Sequence, residues 1–405
     1  MPTYQTKPNK TFFRTSIIVV LMIAVGLAGF FIGQASKQSV SAVSGAILTQ
    51  QQLPDEFNMS LMREVWKVLQ QNFVNQSEID NEKVFYSVLE GMVAGLNDPY
   101  TVFLTPDETE EFNEDIDGKF QGIGAEIAVK DSQLTIVAPI ASSPAERAGL
   151  KAGDKIIAVD GKETAAMTLS EAVRNIRGEK GTVVKLLISR NDVASDVEVT
   201  RDIIYIQSVK TEIKDGNIGY IDITGFNTDT NSLFKDAVDE MLDKKVNGLV
   251  LNLRNNPGGL LDSAIFVASA WIENGQTVVS EQFGDGQKME YASKGQPAFV
   301  QMPTVVLINE GSASGSEIVA GALKDYGLAT LVGKKTFGKG SVQNLHSLSD
   351  GSSVKVTIAK WLTPSGASIN EEGIEPDQEV EITDEDFVQE KDPQLERALE
   401  ILKSK

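Results

Sequence analysis

Cysteine is absent from the 405 residues, and histidine occurs once, at position 346. The first absence excludes disulfides, thiolate nucleophiles, cysteine-based zinc sites and lipid attachment through cysteine. The second excludes a histidine-rich metal centre, the HExxH pattern included. A Ser-His-Asp triad would have to use His346, so a hydrolase built on this chain needs Lys, Asp or Glu as its base. Positive charge is in short supply too: 37 Lys and Arg stand against 57 Asp and Glu, a net charge of −20. That balance argues against binding nucleic acid through a basic surface. No nucleic-acid partner, metal or cofactor is expected.

Long apolar runs are equally scarce. The clearest occupies residues 17–33, behind Lys7, Lys10 and Arg14. It sits at the lower edge of what spans a bilayer and is longer than a usual signal-peptide core. The positive flank keeps the N-terminus in the cytoplasm. The expectation is a single-pass anchor in the cell membrane with the rest of the chain exported. Cleavage at Gly33-Gln34-Ala35 is the alternative.

The chain exceeds the roughly 250–300 residues of a single core, so several domains are expected. Residues 1–35 form the cytoplasmic tail and anchor, and 36–117 a linker and helical segment. Within the latter, Leu61, Val65, Leu69 and Phe73 recur at helical spacing, and so do Val84, Val88 and Met92. Residues 118–204 read as a β-rich module with two short helices. Thr168-Leu169-Ser170-Glu171 is a capping box that opens one of them. Residues 205–376 alternate strands and helices, which predicts an α/β core. Residues 377–405 are acidic, then helical, and are expected to pack on the helical segment near the N-terminus. Acidic residues 106–117 and this tail suggest assembly surfaces, so a homo-oligomer is among the readings.

The β-rich module resembles a PDZ domain. Gly122-Ile123-Gly124 and Ser143-Pro144-Ala145-Glu146-Arg147-Ala148-Gly149-Leu150-Lys151-Ala152-Gly153-Asp154 carry the resemblance. It implies that Gly122, Ile123 and Gly124 hold the free C-terminus of an extended peptide by strand addition.

The chemistry is sought between an apolar strand and an amphipathic helix. Asn309-Glu310-Gly311-Ser312-Ala313-Ser314-Gly315-Ser316-Glu317 joins the two with residues small enough for a sharp turn. A serine there sits beside unpaired helix N–H groups that can stabilise an oxyanion. Taken alone, the run reads first as a helix cap, and Ser312, Ser314 and Ser316 all remain open. The base must then be a lysine. Lys339 is flanked by Gly338 and Gly340, and glycines permit close backbone approach. A desolvated lysine gives up its charge more readily. Lys324, Lys334 and Lys335 compete, and spacing does not exclude them.

The two stretches 311–325 and 332–343 resemble the carboxyl-terminal processing peptidases, or tail-specific proteases. The resemblance runs from the helical segment to about residue 377. It implies Ser314 as nucleophile, Lys339 as general base and Gln343 as the residue that orients the lysine. It also implies one oxyanion N–H from Gly258 or Gly259, within Arg254-Asn255-Asn256-Pro257-Gly258-Gly259, and a second from beside the nucleophile, Gly315 before Ala313. Asp325 takes a supporting role. The implied fold is a multidomain α/β chain: anchor, helical segment, PDZ domain and a crotonase-like core. The implied function is a membrane-anchored, ATP-independent serine endopeptidase. It would cleave exported proteins near their C-termini, with the PDZ domain recognising the substrate's tail. A catalytically inactive PDZ scaffold is the second reading. A crotonase-like acyl enzyme is the third, although no acyl-CoA signal is visible.

Overall fold

The computed structural model describes residues 58–404, apart from 131, 132, 141, 166, 192, 384, 387, 388 and 390. The chain divides into two units, residues 1–81 and 82–405. The apolar run at 17–33 lies outside the described residues. Among the described residues no helix is long and apolar enough to cross a membrane.

In the first unit, helix α1 covers Met59–Asn72, capped by the Asn58 side chain, which accepts the Leu61 N–H at 3.0 Å. Its predicted apolar stripe forms, and Leu61, Val65 and Leu69 stand exposed.

The second unit begins with α2, Asn81–Ala94, strand β1, Val102–Leu104, and α3, Pro106–Ile116. A complete capping box starts α3: Thr105 and Glu108 satisfy each other's backbone N–H. The β-rich module comes next. Its strands are β2, Lys119–Gly122; β3, Ala125–Lys130; β4, Gln133–Pro139; β5, Lys155–Val159; β6, Lys162–Glu163; β7, Val183–Arg190; β8, Val193–Thr200; and β9, Asp202–Tyr205. Two helices interrupt them, α4, Pro144–Arg147, and α5, Leu169–Ile176. Strands β3-β4-β5-β7-β8 make one antiparallel sheet. Alternate residues along β7, Val184, Leu186 and Ile188, bury against Ile136, Ile156 and the α5 residues Ala172 and Ile176. Strands β2 and β9 pair as a separate two-stranded ribbon at the module's two ends, and the chain leaves β9 for the α/β core.

Strand β10, Val209–Lys214, and β11, Ile218–Ile223, open the core, followed by α6, Thr230–Lys244, β12, Gly248–Asn252, and α7, Leu261–Ala268. A hairpin of β13, Thr277–Phe283, and β14, Lys288–Ala292, precedes β15, Thr304–Ile308, and α8, Gly315–Asp325. The chain then runs through β16, Thr330–Gly333; β17, Ser341–Ser347; β18, Ser353–Leu362; β19, Gln378–Glu379; and α9, Pro393–Lys403. One sheet has the order β10-β11-β12-β15-β16-β19, parallel except for β10. Its central strands are buried on both faces, which is why β12 and β15 read as unbroken apolar runs. Leu249, Leu251, Val306 and Ile308 face α6, α7 and α8 in the main core. Val250, Val305 and Leu307 face the other way, onto Ala398, Ile401 and Leu402 of α9.

Helix α9 of the C-terminal segment thus packs on the α/β sheet. The apolar stripe of α9 closes a sheet face that would otherwise be open to water.

A second, antiparallel sheet has the order β1-β18-β13-β14, with β17 on β18. It brings the residues just before β1 alongside the loop that leads into β17.

Candidate active site

The turn between β15 and α8 separates its three serines. Ser312 is fully buried and its hydroxyl donates to the Leu253 carbonyl at 2.7 Å. Ser316 is also fully buried and donates to the Asn256 carbonyl at 2.9 Å. Both hydroxyls fasten the turn to the loop after β12. Ser314 alone is half-exposed, at the tip. Its φ of 52° and ψ of −111° lie where a serine rarely sits. Such a conformation costs on the order of 1–3 kcal/mol and persists only when its surroundings hold it.

The loop after β12 is what holds it. A Cβ on Gly258 would lie 2.7 Å from Ser314 Cβ and 2.8 Å from Gly315 N, so only glycine fits there. Gly259 is as tight, with a Cβ position 2.2 Å from the Phe226 carbonyl oxygen. The Gly258 N–H donates to Asn256 Oδ1 at 2.9 Å and is therefore already engaged. The Gly259 N–H has no partner among the described residues. Gly315 is the first residue of α8, where N–H groups lack helical partners.

Glu317 ties the two halves of the site together. Its carboxylate is fully buried. Oε2 accepts the backbone N–H of Ser314 at 2.8 Å and of Lys339 at 3.0 Å. Oε1 accepts the Gly338 N–H at 2.7 Å and the Thr336 hydroxyl at 2.6 Å. Burial pushes this carboxyl above its ordinary range, and the four hydrogen bonds only partly offset that. Sequence reasoning gave Glu317 no role. The Ser-x-x-Glu spacing at a helix start was the signal available, but it reads as ordinary capping.

Lys339 follows from this arrangement. Its backbone is clamped by Glu317, and Gly340 presses so closely on Asn370 that a Cβ would lie 2.0 Å from its nitrogen. The side chain is half-buried, with Nζ 5.6 Å from the centre of the Tyr100 ring. Burial lowers its pKa first, the nearby Lys355 ammonium lowers it further, and Glu317 raises it. The competing lysines are engaged elsewhere. Lys324 reaches the Glu375 carbonyl, Lys334 pairs with Glu381 and Lys335 with Glu375. His346 is exposed on β17.

Gln343 lies four residues on from Lys339. Its Nε2 donates to Ser341 Oγ at 2.6 Å. Among the described residues no hydrogen bond joins Gln343 to Lys339, or Lys339 Nζ to Ser314 Oγ. Asp325, at the end of α8, accepts the Ser365 N–H at 2.8 Å, away from the nucleophile turn.

In the β-rich module, Ile123 and Gly124 line a groove of about 100 Å³ with Ala125, Ile127, Val173 and Ile176. Gly122 ends β2 beside it. A Cβ on Gly124 would lie 2.5 Å from Ser143 Cβ, so this glycine is fixed by close approach and by its φ of +72°.

Comparison with known proteins agrees with this layout. Peptidase family S41 matches residues 217–380, a PDZ domain matches 135–190, and the N-terminal domain of the activating protease CtpB matches 23–109. The carboxy-terminal processing protease CtpA of Bacillus subtilis (strain 168) is 42% identical over 306 residues, 75% of this chain and 66% of that protein. This chain thus spans just under two thirds of that relative's length. A CtpA-like serine protease of Staphylococcus aureus (strain MRSA252) is 39% identical over 363 residues, 89% of this chain and 70% of that protein. The solved photosystem II D1 C-terminal processing protease has a TM-score of 0.52 and 30% identity, covering 80% of this chain and 92% of its own. With a PDZ domain and a family S41 peptidase domain both matched and a relative of this identity and coverage, the chain belongs to peptidase family S41, among the carboxy-terminal processing proteases.

Proposed function

We propose that the chain is a serine endopeptidase that cleaves exported proteins near their C-termini, with Ser314 as nucleophile and Lys339 as general base. The observation that carries this reading is the shared Glu317 oxygen, which holds the backbones of both residues in one buried hydrogen-bonded unit.

The chemistry runs in two halves. The neutral Lys339 amine accepts the Ser314 hydroxyl proton as Oγ bonds to the substrate's carbonyl carbon. The carbonyl electron pair moves to oxygen, where the N–H groups of Gly259 and Gly315 receive it. Collapse breaks the C–N bond, and the Lys339 ammonium returns the proton to the departing amine. An acyl-enzyme remains. Water then attacks the ester, Lys339 takes the water's proton, and Ser314 Oγ leaves and is reprotonated. Gln343 would orient Lys339 after leaving Ser341, and Asp325 supports the end of α8.

The PDZ groove at Gly122, Ile123 and Gly124 would take the substrate's free C-terminus by strand addition. An anchor at residues 17–33 would hold the enzyme on the membrane with its catalytic part outside the cytoplasm. The core's crotonase-like character and the division at 118–204 and 205–376 belong to the same reading.

A scaffold without activity is the second reading. It draws on the separation of Lys339 Nζ from Ser314 Oγ, although catalytic hydrogen bonds often tighten only once substrate binds. One experiment separates the two. An unfolded protein is incubated with the parent chain, Ser314→Ala and Lys339→Ala. Cleavage by the parent alone supports the peptidase. No cleavage by the parent supports the scaffold, and cleavage by both variants removes the dyad.

A further inference from the structure

Lys339 is one of two half-buried lysines at this site. The other is Lys355 on β18, whose register partners are Val102 on β1 and Leu345 on β17. Two residues further along the same face, Thr357 pairs with Gln343. Continuing the β1 register past its start sets Tyr100 opposite Thr357, and the Thr357 N–H donates to the neighbouring Thr101 hydroxyl at 3.0 Å. Tyr100 is the ring beneath Lys339 Nζ. The Lys355 and Lys339 side chains therefore occupy one patch of one sheet face.

Lys355 has no ion pair there among the described residues. Its Nζ lies 5.5 Å from the centre of the Phe112 ring on α3, and its charge is partly stripped of water. The titratable groups around the pair are accounted for. Glu317 faces Lys339 and spends both oxygens on backbone and hydroxyl donors. Asp98 is held by Thr101 and the Tyr100 N–H. On α3, one turn either side of Phe112, Glu108 is held by Thr105 and Asp115 faces Arg177 at 3.8 Å. A half-buried cation with no paired carboxylate acts on the next cation by repulsion, since little counter-charge screens it.

We propose that Lys355 is a positioning residue for Lys339: its unpaired ammonium keeps the Lys339 amine in the neutral form that accepts the Ser314 proton. The proposal rests on Lys339 being the base. Repulsion between paired lysines makes the site lose one proton early, and after burial the Lys355 charge is the next cause that lowers the Lys339 pKa. A neighbouring cation is a recognised way to prepare a lysine for such work.

The test is kcat/KM against pH for cleavage of an unfolded protein by the full-length chain. Lys355→Met keeps the stem and removes the charge, whereas Lys355→Arg keeps both. In Lys355→Met the rising limb should move to higher pH by about half a unit or more, giving an approximately threefold or greater loss on that limb that high pH restores. Lys355→Arg should keep the parent profile. A limb unmoved in Lys355→Met, a loss equal at every pH, or an equal shift in Lys355→Arg would overturn the proposal. Should Lys355→Met fail to fold, Lys355→Gln is read by the same criteria, using the rate of Ser314 phosphonylation against pH. Lys339→Ala runs beside them. If it still cleaves, the base reading falls and takes this proposal with it. If it is dead while Lys355→Met is unshifted, this proposal falls alone.

Discussion

Ser314 and Lys339 donate their backbone N–H groups to the same oxygen atom, Glu317 Oε2, at 2.8 and 3.0 Å. Nucleophile turn and base loop come from different strands, and a single buried carboxylate sets their spacing. A shift in one is therefore transmitted to the other.

Glu317→Gln should break this coupling. Glutamine replaces one acceptor oxygen with an amide NH2, which meets two donors instead of receiving them. We expect kcat to fall by about 10²-fold or more, because misplacement of about 1 Å costs that much, while KM changes little. Stability should drop by roughly 1–3 kcal/mol, the cost of leaving buried groups unsatisfied. Steady-state kinetics and chemical denaturation measure the two effects.

Lys339 carries a second signature. Burial leads the effects that lower its pKa, so kcat/KM should rise with pH and level off below the ordinary lysine range. The sign for stability is set by the same shift. A lysine whose folded pKa is depressed disfavours the folded state at pH values below it, where the charge must be buried, and the penalty fades as pH rises through the folded and unfolded values. Lys339→Met should therefore abolish cleavage yet raise the melting temperature at neutral pH by a few degrees. Calorimetry beside an activity assay checks both.

Gly258→Ala should inactivate by 10²-fold or more. The added Cβ would meet Ser314 Cβ at 2.7 Å and the Ala313 carbonyl oxygen at 2.8 Å, on a backbone with φ of +100°. The turn must move, and the Gly315 N–H moves with it. A folded, inactive variant by circular dichroism and peptide cleavage is the expected outcome.

Arg254 joins the loop after β12 to the C-terminal helix. Its guanidinium meets Asp392 in a bidentate pair at 2.9 and 2.8 Å and Gln394 at 3.0 Å. Burial raises the Asp392 pKa, but the Arg254 hydrogen bonds and charge together with the Leu395 and Gln394 backbone N–H groups outweigh it, and the net effect is a lowering. The stability from this pair is thus present above the ordinary aspartate range and lost as pH falls through the depressed value. Asp392→Asn should cost about 2 kcal/mol near neutrality, after allowance for solvent at Asp392. It should also flatten the acid limb of stability against pH. Urea denaturation at several pH values checks this.

Much of this was legible in the sequence, for physical reasons. The unbroken apolar runs of β12 and β15 announce strands buried on both faces, and the capping box at Thr168 announces α5. Ser314 was readable as one of three serines in a strand-to-helix turn. Burial of Ser312 and Ser316 against carbonyls of another loop, which separates them, depends on tertiary contact. The same holds for Glu317, three of whose four partners lie 19 to 22 residues away in sequence. Periodicity announced α9 but not which surface it would cover. Gln343 was placed beside Lys339 by resemblance, whereas its side chain turns to Ser341.

The most direct measurement is mass-spectrometric mapping of a fluorophosphonate adduct on the full-length chain. The account predicts one adduct, on Ser314 Oγ, formed rapidly in the parent and lost in Lys339→Ala. An adduct on Ser312, Ser316 or another residue, or equal labelling of Ser314 without Lys339, would contradict it.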